Sequence, residues 1–249
     1  MRKALGVFAA SVLLVVLGAS LGMADTVSFT YGGSMSFTSN DALYWGAIGA
    51  NVPVASGTTV QVRNQMTMLP TGNVATITFG NGGAGTTYVQ CPASACSWNG
   101  DFSPGQFLLS NGGTAGSIDV SFTDGVSGVG FNAMPFQVGT YGIEIGAYDG
   151  TTLLGSAEFG LIGGPVGGDN NSASFYSVVD STGADITAIK LSAYDCLGAG
   201  NCFPLGLTIN NMLLNAPTTS STPEPASLAL LGSGLGLFGF LRRKLGARK

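Results

Sequence analysis

Histidine is missing from all 249 residues of this chain. That removes Ser-His-Asp and Cys-His catalysis and every imidazole-based metal site. Cations are nearly as scarce, with nine Lys and Arg against thirteen Asp and Glu, a net charge of −4. Seven of the nine fall in two terminal stretches: Arg2, Lys3, Arg242, Arg243, Lys244, Arg248 and Lys249. Between Asp25 and Thr222 only Arg63 and Lys190 remain against twelve acids, a net of about −10. Such a region has no electrostatic footprint for nucleic acid, whose binding depends on neutralising phosphates. Direct attraction to anionic lipid or acidic polysaccharide is disfavoured for the same reason. No stretch of this region sustains a helical period over about ten residues.

What is there instead is Gly, Ser, Thr, Asn and Val, arranged as short alternating runs. Val74 to Phe79 puts Ala75, Ile77 and Phe79 on one face, and Ile118 to Phe122 and Ile143 to Tyr148 alternate as cleanly. Val27 to Tyr31, Val60 to Arg63, Thr86 to Gln90, Gly128 to Ala133, Ala173 to Val179, Ile186 to Tyr194 and Leu205 to Leu214 are further strand candidates. Asp124-Gly125 and Asp149-Gly150 predict hairpin turns, because Gly accepts the positive φ that tight β-turns demand. Regularly spaced short strands over residues 25–216 predict an all-β domain, a β-sandwich or jelly roll. Gly80 to Gly85 matches G-x-G-x-x-G, but a strand follows where a phosphate-binding helix is required, so a Gly-rich turn is the better reading.

Both ends carry a different pattern. Arg2-Lys3, the apolar Leu5 to Leu17 and the small residues Gly22-Met23-Ala24 form a signal peptide (1–24), with signal peptidase predicted to cut after Ala24. The G-x-S-x-G match at Gly18 to Gly22 lies inside this leader and has no catalytic meaning. At the other end a linker (217–222) leads to Pro223-Glu224-Pro225, an apolar run over 226–241 and a basic tail over 242–249. Sixteen uncharged residues span roughly 24 Å as a helix, slightly short of the hydrocarbon core, and predict a single transmembrane helix. Arg242, Arg243 and Lys244 would hold the C-terminus in the cytoplasm.

Residues 223–249 closely resemble the PEP-CTERM sorting signal of exported Gram-negative bacterial proteins. The resemblance implies export through the secretion machinery, transient anchoring in the inner membrane and processing by an exosortase. Delivery to the cell surface or extracellular matrix, as in a biofilm, would follow. A permanent membrane tether is the alternative. A second resemblance runs through Val126 to Phe131, Ile143 to Gly150 with Leu153-Leu154-Gly155, Ile186 to Leu191, and Leu207 to Met212. This order looks like the jelly-roll domain common in PEP-CTERM proteins, with Asn210 where the closing motif usually has Asp. Related jelly rolls often bind carbohydrate or calcium.

Four cysteines form two close pairs, Cys91 with Cys96 and Cys196 with Cys202. Export makes disulfides the leading reading, and of the three possible connectivities the Gly/Ala/Pro-rich loops favour the local pairs. A four-Cys zinc site is the alternative, which oxidising export and off-pattern spacings disfavour. No cofactor is expected. Calcium is the metal that would suit this acidic domain, with hard oxygen donors in Asp124, Asp149, Asp169 and loop carbonyls, although no contiguous calcium-loop motif is present. Asp119, Glu144, Asp149 and Glu158 lie near the central strands. Two of them at suitable spacing could hydrolyse a glycosidic bond, or all could simply keep a cation-poor surface soluble. Trp98 could stack on a sugar ring or pack its own loop. The expectation is a non-catalytic structural or adhesive protein associated with exopolysaccharide, with a secreted polysaccharide-active enzyme as the alternative.

Overall fold

The computed structural model describes residues 27–32, 37–91, 97–98, 102–113, 116–135, 139–164, 172–183, 185–196 and 202–216. The leader, the linker, the segment from Pro223 to Lys249, the side chains of Cys96 and Cys196, and Asp169 lie outside the residues so described. Among the described residues no helix is long and apolar enough to cross a membrane. The helical content there is two three-residue 3-10 turns, at Trp45–Ala47 and Gly80–Gly82.

In chain order the strands begin β1 Val27–Tyr31, β2 Asp41–Leu43, β3 Pro53–Val54, β4 Thr58–Asn64, β5 Pro70–Phe79, β6 Gly85–Val89, β7 Phe107–Ser110 and β8 Ile118–Val126. They continue β9 Gly128–Pro135, β10 Gly139–Asp149, β11 Thr152–Gly164, β12 Ser174–Asp180, β13 Ile186–Cys196, β14 Cys202–Leu205, β15 Leu207–Ile209 and β16 Met212–Asn215. The predicted period of two governs them. In β5, Ala75, Ile77 and Phe79 are buried and Thr78 is exposed. In β10, Tyr141, Ile143, Ile145 and Ala147 enter the core.

The ladder runs β11-β10-β13-β8-β5-β4-β2-β16-β9-β15-β7-β6-β3, with β12 and β1 branching from β9 and β14 from β13. These strand pairings are antiparallel. The path folds back on itself as a β-sandwich, because strands far apart along it face each other. Tyr141 of β10 donates its hydroxyl to Met134 Sδ of β9 at 3.1 Å. Tyr31 of β1 packs on Phe159 of β11 with ring centroids 5.7 Å apart. One hydrophobic cluster draws on both layers, which is where burial supplies most of the stabilisation.

The closing motif is structural. Asn210 and Asn211 separate β15 and β16, which share one edge of β9. Asn210 Oδ1 accepts from Asn132 N at 2.7 Å and Nδ2 donates to Asn132 Oδ1 at 3.0 Å. Its carbonyl accepts from the buried Trp45 Nε1 at 2.7 Å, while Asn211 Oδ1 accepts from Trp45 N at 3.1 Å. An amide both accepts and donates here, which an ionised carboxylate cannot do. That is the physical reason for Asn at 210.

Two expectations need correction. Asp124-Gly125 makes no hairpin: it lies within β8, opposite an irregularity in β13. Buried Asn73 holds the irregular segment, accepting from Thr123 Oγ1 and Asp124 N and donating to Asp124 O. The chain instead crosses between layers at Ser127, whose N and Oγ both donate to Asn215 O. Leu205 to Leu214 is also not one strand, because Gly206 and the Asn210-Asn211 pair divide it among β14, β15 and β16. The Asp149-Gly150 turn does form a hairpin, with Asp149 opposite Thr152 and Gly150 at φ 55°.

Candidate functional site

The outer face of β11, β10, β13 and β8 brings Glu144, Glu158, Lys190, Asp119, Ser192 and Tyr194 onto neighbouring strands. Because side chains alternate, β10 presents Gly142, Glu144, Gly146 and Tyr148 outward while its odd-numbered neighbours fill the core. Register then fixes the lateral partners. Glu144 lies opposite Glu158 of β11 and Ser192 of β13; Gly146 lies opposite Ser156 and Lys190. Lys190 lies in turn opposite Asp119 of β8, and Tyr194 opposite Gly142.

Glycine shapes this face. A Cβ at Gly142 would fall 2.2 Å from Tyr194 Cζ, and one at Gly146 would fall 2.9 Å from Tyr148 Cε2. Each ring therefore occupies the space a side chain on β10 would need, and two tyrosines lie along the strand on either side of Glu144. Tyr194 donates its hydroxyl to Glu158 Oε1. Ser192 Oγ donates to Glu144 Oε2 at 3.3 Å. Burial pushes the Tyr194 phenol above its usual range, and the hydrogen bond to Glu158 with the charges of Glu158 and Glu144 pushes it further. The group stays a neutral donor throughout the physiological range.

Two adjoining depressions of about 240 and 380 Å³ share Glu144 and Ser192. A third, of about 280 Å³, shares Tyr148 and Lys190 with the first and reaches Asp119. Together they form an open trough along β10 and β13, about 20 Å from Gly142 to Tyr148 at strand rise.

The structure thus brings Glu144 and Glu158 together, with Asp119 at the far side of the trough. Asp149 is exposed in the β10–β11 turn and Asp124 is exposed in the irregular part of β8. No group of three or more His, Cys, Asp or Glu suited to a metal ion occurs among the described residues. Trp98 is buried, with ring centroids 5.5 Å from Tyr88 and 6.3 Å from Phe102, so it packs its loop rather than offering a surface platform. The tyrosines, serines and Lys190 of the trough were missed as site residues. The outward alternation of Gly142, Glu144, Gly146 and Tyr148 was the signal that could have found them.

Cys91 and Cys202 are each disulfide-bonded, with the other sulfur outside the described side chains. Cys202 stands directly opposite Cys196 in the β13–β14 ladder. Cys91 N donates to Trp98 O at 2.8 Å, so the chain returns to Cys91 just beyond position 96.

Residues 221–244 match the PEP-CTERM protein-sorting motif. The chain thus carries at its C-terminus a sorting motif that implies export to the cell surface and processing by an exosortase. No curated protein matches its sequence. Among solved structures, the domain is similar to a DUF4465 family protein from Bacteroides caccae, at 10% identity and a TM-score of 0.37, covering 76% of this chain and all of that one. It is also similar to TmCBM61, solved in complex with β-1,4-galactotriose, at 12% identity and a TM-score of 0.28, covering 57% of this chain and 83% of that one. At such scores neither tells what this chain binds.

Proposed function

We propose that the chain is an exported, non-catalytic component of the cell surface or extracellular matrix that holds hydroxyl-rich glycan in the outer trough. The observation that carries this reading is the pair of tyrosine rings seated at Gly142 and Gly146 on either side of Glu144. A sugar ring offers an apolar C–H face and a rim of hydroxyls. Aromatic rings with polar tips meet the first, and carboxylates, serines and Lys190 meet the second. The acidic balance of the domain favours neutral glycan. An anionic polymer would need divalent cations as bridges.

The second reading is a polysaccharide-active enzyme using Glu144 and Glu158, favoured by their direct cross-strand opposition. Retaining glycosidases place two carboxyls about 5–5.5 Å apart. A general acid, however, needs an environment that keeps it protonated, and both of these side chains are exposed to water. Retention of the protein on matrix polysaccharide from its native host, with the length of that polysaccharide followed over time, separates the two. Tyr148→Ala and Tyr194→Ala should weaken retention, while Glu144→Gln and Glu158→Gln keep it and the polymer stays intact. Shortening of the polymer that disappears in the Gln variants would establish the enzyme instead.

The sorting route has its own test, the intact mass of the protein from surface and culture fractions. Loss of residues 1–24 and of the apolar tail, with a gain of about 4 Da on reduction of two disulfides, fits exosortase processing and local Cys91–Cys96 and Cys196–Cys202 pairs. A mass that keeps the tail, found only in membranes, would make this a tethered envelope protein.

A further inference from the structure

Three apolar side chains stand in water within four residues of the β4–β5 connection. Met66 is 94% exposed, Leu69 65% and Met68 45%. Single exposed hydrophobics are ordinary on a protein surface, whereas a cluster marks a contact. The turn that carries them is firmly built. Asn64 Oδ1 accepts from Met66 N, Thr67 N and Thr67 Oγ1 at 3.1, 3.1 and 3.2 Å. Arg63 Nη1 donates to Met68 O at 2.8 Å, and Met68 itself holds a left-handed φ of 58°. A non-glycine residue adopts that backbone conformation at a cost, which the hydrogen bonds of the turn offset.

Asn40 fixes where this tip lies. Its carbonyl accepts from Gln65 N at 2.9 Å and Asn64 Nδ2 at 3.2 Å, at the base of the turn. Its side chain clasps the C-terminal end of the domain, donating to Ala216 O at 2.8 Å and accepting from Ala216 N at 2.9 Å. The apolar tip and the point where the chain leaves the domain therefore share one pole. Nine residues, Pro217 to Pro225, separate Ala216 from the apolar run that begins at Ala226. Fully extended they reach about 30 Å.

We propose that Met66, Met68 and Leu69 insert into the headgroup and upper acyl region of a phospholipid bilayer while the chain is held by its apolar tail. The proposal rests on the sorting-motif reading, which supplies the tether. Flexible thioethers and a leucine suit a disordered acyl boundary. The domain is too acidic for charge attraction to lipid, so the contact is apolar and insensitive to salt. Tethering supplies a high effective concentration that three side chains alone would not.

The test uses the full chain carrying Met66→Trp, reconstituted in phosphatidylcholine vesicles with or without bromine near the carbonyl end of the acyl chains. The buried Trp45 and Trp98 are subtracted using the unsubstituted chain. Phe203→Trp is the control, since Phe203 is exposed and pairs with Asp195 at the end of β13 away from Ile186. The introduced indole at position 66 should emit to the blue of the control and lose at least half its intensity to brominated lipid, equally at low and high salt. Vesicle flotation reads the tether separately. A chain that does not float removes the sorting-tail premise and the proposal with it. A chain that floats, with the position-66 indole water-like and unquenched, overturns the docking proposal alone. Blue but unquenched emission would place the tip against protein, such as a second copy of the chain, and overturn it too.

Discussion

Tyr194 of β13 and Glu158 of β11 are joined by a hydrogen bond across the strand that lies between them. They meet because β10 has no side chain at Gly142, where the tyrosine ring lies. One absent methyl group therefore sets the shape of the trough.

Gly142→Ala should displace that ring and break its bond to Glu158. Retention on matrix glycan should fall, and the domain should lose about 1–3 kcal/mol through overpacking, measured by denaturant unfolding. Gly160→Ala is the companion variant. A Cβ there meets nothing within 4 Å, so it should leave retention unchanged and stability within about 0.5 kcal/mol.

Glu144 and Glu158 are directly opposed like charges on a cation-poor face. Glu144→Gln should stabilise the fold by roughly 0.2–1 kcal/mol, the range of cross-strand pair effects. Ser192 keeps an acceptor in the amide oxygen. The gain should shrink as salt is raised, and thermal unfolding at two ionic strengths would show it. A loss of stability would mean that the charge is structurally required.

Asn210→Asp restores the residue usual in the resembling motif, yet it should destabilise this chain. The bond to Asn132 Oδ1 loses its donor, and two oxygens then face each other in a buried setting. The expected cost is about 1–3 kcal/mol, larger at neutral than at acid pH because ionisation removes any remaining donor. Chemical denaturation at the two pH values would measure it.

Asp41 and Asp180 should oppose each other in acid. Burial raises the Asp41 carboxyl above its usual range despite the hydrogen bond from Asn64 Nδ2. The folded state then holds that proton more tightly, so stability is lost as pH rises from about 3.9 through the raised value. Burial also pushes Asp180 upward, but hydrogen bonds from Thr182 and from the backbone of Asp185 and Gly183 bring it below the usual range. Its contribution is present above about 3.9 and is lost as pH falls through the lowered value. Asp41→Asn should raise the melting temperature at pH 7 with the gain vanishing in acid, whereas Asp180→Asn should lower it at pH 7.

The strand order in sequence was legible wherever side chains alternate. β1 has the predicted bounds, β4, β5, β8, β9, β10 and β13 contain their predicted runs, and β12 begins one residue later than predicted. β11 escaped because four of its thirteen residues are Gly, which leaves little pattern to read. β2, β3 and β14 are too short to alternate. The Glu144–Glu158 pair was suspected as two carboxylates, but its register needed the β10–β11 hairpin. The tyrosine seats were illegible because sequence shows a glycine without showing what fills its place.

Met68 and the other tip residues concern how the domain rests; β16 concerns how it bears load. This strand, the last before the chain leaves the domain, is bonded on one side to β2 and on the other to β9. A pull on the tail along the strand must shear two ladders at once and open the Asn40 clasp on Ala216, where an edge strand would peel bond by bond. The C-terminal exit of the domain is thus gripped at a point that resists traction.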